Sequence, residues 1–121
     1  MKFITTILII FFSFSFISAQ TPENPGTPEE RAEKMTSEMY KQLPLTEAQL
    51  PAITALNLKY AKIIQSEVLD QDLNSWAKYN KSMKINKKKE AELKPLLSEA
   101  QWKNYEKLKS EAINKAWSRI F

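Results

Sequence analysis

Beyond Gly26 the chain contains no further glycine and a single valine, Val68, and is built largely from Ala, Leu, Glu, Lys and Gln. These side chains lose little rotamer freedom in a helix, so the composition favours helix almost throughout. Pro44, Pro51 and Pro95 are the backbone breakers left within that stretch. The reading is an all-α chain of four helices, at about 28–43, 46–70, 74–94 and 98–120, in a hairpin-like arrangement.

Local signals place these helices. Thr27 caps the first, with Pro28 at its first position and Glu30 completing a capping box. Met35, Met39 and Leu43 then recur at intervals of four, and Pro44 disfavours helical geometry in the residue before it. Thr46 starts the second helix, with Gln49 reaching back three residues later. Ile53, Leu56, Tyr60 and Ile63 form its apolar stripe, widened by Leu50, Ile64 and Val68. Pro51 is expected to remove one backbone hydrogen bond or bend the start of this helix. Asp70 to Ser75 is rich in side chains that compete for backbone hydrogen bonds, so a turn or bend belongs there. Trp76, Tyr79, Met83, Glu90 and Leu93 are read as the stripe of the third helix, which Pro95 ends or kinks. Ser98 and Gln101 cap the last helix, whose face is Trp102, Tyr105, Leu108, Ala112, Ala116, Trp117 and Ile120.

The chain opens with Met1 and Lys2, runs through an apolar stretch from Phe3 to Ile17 and reaches Ser18-Ala19-Gln20. That is the layout of a secretory signal peptide, residues 1–19, cleaved after Ala19. The apolar stretch approaches the roughly 20 residues that span a bilayer. Its Ser-rich second half and the small residues before Gln20 favour cleavage over anchoring. Residues 20–27 hold two prolines and the only glycine and read as a flexible leader; residues 28–121 form one helical domain. An exported, periplasmic product follows. With no cysteine, neither a disulfide nor a cysteine-linked lipid is available, and so small a core is completed most simply by a homodimer.

Leu45-Thr46-Glu47-Ala48-Gln49 and Leu97-Ser98-Glu99-Ala100-Gln101 repeat one pattern. Each sets a Leu before a hydroxyl cap and a Gln where a capping box needs it. With these paired motifs the chain resembles the Spy/CpxP family, whose mark is a repeated L-T-x-x-Q sequence. The matching residues are Leu45, Thr46 and Gln49, then Leu97, Ser98 and Gln101; Ser98 departs from the usual Thr. The resemblance runs from about Pro28 to Phe121. It implies a small periplasmic four-helix protein forming a cradle-shaped antiparallel dimer. It further implies an ATP-independent chaperone or, in the alternative, an accessory regulator that docks on the sensor domain of an envelope-stress kinase. The motif itself positions helix starts and carries no chemistry.

Histidine and cysteine are both absent, which removes the commonest general base, the thiolate nucleophile and the usual ligands of zinc and copper(II). Met35 and Met39 stand one turn apart, a spacing open to a soft ion but equally that of a core stripe. No Gly-rich phosphate loop is present. The reading is therefore no enzyme, no metal, no cofactor and no small-molecule substrate. The net charge is +4, and Lys78, Lys81, Lys84, Lys87, Lys88 and Lys89 crowd one stretch beside Trp76, Tyr79 and Met83. Such a run is either a solvated helix face or a surface for unfolded or partly folded client proteins, in which charge speeds encounter and soft side chains make contact. The candidate client-binding residues are Trp76, Tyr79, Met83, Lys78, Lys81, Lys84, Lys87 and Lys88. Nucleic acid is excluded as a partner by the export signal.

Overall fold

A computed structural model describes residues 26–120. The signal peptide read at 1–19, the leader up to residue 25 and Phe121 lie outside the described residues. Four α-helices follow in order: α1 Pro28–Gln42, α2 Leu50–Ile64, α3 Ser75–Leu93 and α4 Glu99–Ile120. A π turn, Gln65–Leu69, extends α2, and a 3-10 turn, Lys94–Leu96, ends α3. The described residues contain no strand, so the chain is all-α with four helices, as its composition dictates. None of these helices is long and apolar enough to cross a membrane.

The chain enters α1 through Gly26, whose φ of 86° suits a residue without a Cβ. Thr27 then accepts from Glu30 N at 3.1 Å while its own N–H donates to Glu30 Oε1 at 3.0 Å. The Thr27 backbone N–H first, and then the Thr27 hydroxyl, hold the Glu30 carboxyl below its ordinary range. Ala32, Met39 and Leu43 of this half pack against Ile53, Leu56, Tyr60 and Ile64 of α2, and Val68, Ile85, Leu93 and Tyr105 extend the same core. Each such large side chain withdrawn from water contributes roughly 1.5–3 kcal/mol before entropy is charged against it.

The second helix begins at Leu50, not at Thr46. Residues 47–49 form a turn, with Gln49 N donating to Thr46 O at 3.1 Å and Leu50 N to Glu47 O at 3.3 Å. The Thr46 hydroxyl does not cap the helix: Gln49 Oε1 accepts from Thr46 N at 2.9 Å, and the hydroxyl donates to that same oxygen at 3.3 Å instead of accepting a helix N–H. This later start places Pro51 in the first turn, where a backbone N–H has no intrahelical acceptor. The expected loss of a hydrogen bond therefore does not arise. At the other end regular α geometry stops at Ile64, short of the expected residue 70, and Asp70 N donates to Gln65 O at 2.9 Å across the wider π turn.

The third helix is capped by Asn74, whose Oδ1 accepts from Ala77 N at 2.8 Å. Its buried stripe is Ser82, Ile85, Asn86, Lys89 and Leu93. Of the stripe expected from the sequence only Leu93 is buried. Trp76, Tyr79 and Met83 follow one another at spacings of three and four down a flank of the helix, beside the seam rather than in it. Polar side chains fill three of the five seam positions, so counting apolar residues selects the wrong face.

The last helix has a complete capping box, Gln101 N to Ser98 Oγ at 3.1 Å and Ser98 N to Gln101 Oε1 at 2.9 Å. Tyr105 is buried, and Trp102 and Leu108 pack against the core. The side chains of Ala116, Trp117 and Ile120, expected on the same face, lie outside the described ones.

Candidate functional site

The two repeated motifs converge. Gln49 Nε2 donates to Gln101 Oε1 at 2.7 Å and Gln101 Nε2 donates to Gln49 Oε1 at 2.9 Å, joining residues 52 apart in the chain. Each amide also donates to the backbone carbonyl two residues before the other motif's hydroxyl: Gln49 to Leu96 O at 3.0 Å, Gln101 to Pro44 O at 3.3 Å. Every amide hydrogen and oxygen of the pair thus has a partner, which is what a partly buried polar group requires. Leu45 is buried beside this junction and Leu97 half-buried. The motif residues lock the α1–α2 corner to the α3–α4 corner.

The basic stretch lies on the outer side of α3. Lys81, Lys84 and Lys88 are exposed and follow each other at spacings of three and four; Lys87 is exposed and Lys78 half-buried. A separate flank carries Trp76, 68% exposed, stacked on Tyr79 with ring centroids 6.0 Å apart and an interplanar angle of 26°. Tyr79 and Met83 are half-buried, so this flank grades into the core. All eight candidate client-binding residues therefore fall on one helix. Trp76, Tyr79 and Met83 share one flank, with Lys87 at its outer edge, while Lys81, Lys84 and Lys88 lie further round the helix, towards its opposite side.

Lys89 belongs to neither stripe. It is buried, and desolvation pushes its ammonium down to about 7, opposed by the Glu90 carboxylate next to it. Its Nζ lies against Met35 Sδ, while Met39 Sδ accepts from Asn57 Nδ2 at 3.5 Å. Met39 is thus placed in the core, and Met35 packs against it. The polar interior is what the sequence reading missed: Asn57, Ser82, Asn86 and Lys89 are all buried. A signal existed for Lys89, four residues after Ile85 and four before Leu93, but a lysine within a lysine run reads as solvated.

Glu90 is the second polar centre. It accepts from Tyr105 Oη at 2.8 Å, Lys109 Nζ at 2.7 Å and Asn86 Nδ2 at 3.3 Å, tying α4 to α3. Burial and this carboxylate drive the Tyr105 phenol well above its ordinary range. On the opposite side Tyr60 Oη donates to Glu92, which also receives Lys59 Nζ at 2.9 Å.

A family model described as a domain of unknown function, DUF4890, matches residues 18–105. The chain belongs to this family. The DUF4890 match takes in both motif corners and the whole of α3, so the amide junction and the basic helix fall within its span, while most of α4 lies past its end. Neither curated proteins nor solved structures gave a match to this DUF4890 chain.

Proposed function

We propose that this protein is an exported, ATP-independent chaperone-like binder of unfolded or stressed envelope proteins, related to the Spy/CpxP proteins and working as a homodimer. The observation that carries the reading is Trp76, 68% exposed and stacked on Tyr79, on the same helix that exposes Lys81, Lys84, Lys87 and Lys88. A helix that exposes both an aromatic pair and a row of lysines suits capture of chains that combine acidic and apolar residues. The charge raises encounter rates and the rings supply short-range contact of low sequence demand. The absence of His and Cys supports binding over catalysis, and the paired motif supports the kinship.

The test is light scattering from two unrelated unfolding proteins, with and without residues 20–121 and without ATP. Suppression of both near equimolar ratio is the expected result. Suppression of neither sinks the chaperone reading and favours a single folded partner such as a sensor-kinase domain. Neutralising Lys84, Lys87 and Lys88 together should slow capture of an acidic client at low salt and leave the rate at high salt unchanged.

A further inference from the structure

Lys89 is 5% exposed on the seam of α3. The ion pairs among the described residues are Lys59–Glu92 and Lys109–Glu90, and neither includes it. Its described contact is Met35 Sδ of α1, a weak acceptor for a cation. Lys89 lines a cavity of about 20 Å³ together with Arg31 and Met35 of α1 and Asn57, Tyr60 and Ile64 of α2. That volume accommodates one water-sized molecule.

Asn57, 1% exposed, brings a second demand to the same place. Its Nδ2 donates to Thr36 Oγ1 at 2.9 Å, while its Oδ1 accepts from no group among the described residues. An occupant that satisfies both sides must donate to Asn57 Oδ1 and accept from Lys89 Nζ. A halide can only accept, whereas water does both.

The other charged and titratable groups around Lys89 are already engaged. Arg31 of α1 donates to Gly26 O at 2.6 Å and Gln65 Oε1 at 3.0 Å. Tyr60 of α2 donates to Glu92. On its own helix Glu90 is occupied by Tyr105 and Lys109 of α4, leaving only its through-space attraction to favour the ammonium.

We propose that Lys89 is a proton gate on the seam between α3 and the α1–α2 pair. As the amine it closes against Met35; as the ammonium, still buried, it draws in a water bridged to Asn57 Oδ1 and weakens the seam, which then opens to solvent more readily. In the open chain Lys89 keeps its proton up to the ordinary lysine value of 10.5, whereas burial lowers that of the closed form to about 7. Between those limits opening takes up one proton, so the opening constant rises about tenfold for each unit fall in pH; below the lower limit both forms hold the proton and it levels off. The gate is independent of what the outer face of α3 binds.

Native-state hydrogen exchange of α3 amides, corrected for intrinsic exchange rates, tests this on the protein and on its Lys89→Met variant. Between pH 9 and pH 7.5 the opening constant should rise about tenfold per unit fall in pH in the protein and stay flat in the variant. Equal slopes in both overturn the gate. Titration of the lysine ε-carbons by NMR supplies an arm that does not depend on the variant folding: Lys89 titrating together with the surface lysines overturns the proposal. Asn57→Leu should move the Lys89 titration further down by removing the bridge, and an unmoved titration overturns the water's part in it.

Discussion

Gln49 and Gln101 form a closed amide pair, each donating to the other's Oε1 at 2.7 and 2.9 Å across 52 residues of chain. Replacing either with Ala leaves the other amide, a cap N–H and a carbonyl without partners. The loss should be about 1–3 kcal/mol in urea unfolding for each single variant. Because the pair acts as one unit, Gln49→Ala with Gln101→Ala should cost far less than the two losses added. Additive losses in a double-mutant cycle would mean that the two amides act independently.

The two corners differ at their hydroxyls. Ser98 Oγ accepts a helix N–H, whereas the Thr46 hydroxyl donates to Gln49. Ser98→Ala should therefore lower stability by about 1 kcal/mol. Thr46→Ala should stay within about 0.5 kcal/mol of the parent. Thermal denaturation of the two variants side by side checks the order, and the reverse order contradicts the hydrogen-bond assignment.

Glu90 gathers Tyr105 and Lys109 onto α3. Glu90→Ala should cost about 2 kcal/mol, since it strands a buried phenol and a partly buried ammonium. The damage should be local, with amide exchange in α4 accelerating more than in α1 and α2. Uniform acceleration would show that α4 is not held chiefly by this carboxylate.

Alkaline pH should act through Tyr60, whose phenol is pushed up to about 12 by burial first and then by Glu92. A group with a raised folded value stabilises fully below its ordinary value near 10. It loses that contribution as pH rises through the folded one. Thermal stability of the parent should therefore fall relative to Tyr60→Phe between about pH 10 and pH 12. Parallel curves over that window would place the titration elsewhere.

Trp76 is 68% exposed, so Trp76→Ala should leave stability within about 0.5 kcal/mol. The same variant should weaken suppression of aggregation by residues 20–121. A variant that is equally stable and equally active would remove Trp76 from the proposed binding face.

Three of the four apolar stripes were legible from residue spacing. Met39 and Leu43, then Ile53, Leu56, Tyr60 and Ile64, are strongly apolar at helical intervals, and Tyr105 with Trp102 marks the core face of α4. The seam of α3 was not legible. Ser82, Asn86 and Lys89 are buried there by what packs on them, and the spacing of Lys89 from Ile85 and Leu93 is outweighed by the lysine run around it. The late start of α2 was hidden because a hydroxyl before a helix reads as a cap, whereas the Thr46 hydroxyl donates to Gln49. The outer lysines of α3 were found by composition; their division into a cationic and an aromatic stripe needed the helix phase.

The equivalence of the two corners bears on how such a chain arises. A hairpin with one Leu-hydroxyl-x-x-Gln corner has an amide without the partners that the second corner supplies here, where Gln49 and Gln101 satisfy one another. Alone it is a half-unit, and its simplest complement is a copy of itself. The connection at 70–74 then serves as a tether, presenting the second half to the first at high effective concentration in place of bimolecular pairing. Cutting that tether should yield two fragments that reassemble, and a chain able to reassemble from halves is one that gene duplication and fusion can build in a single step.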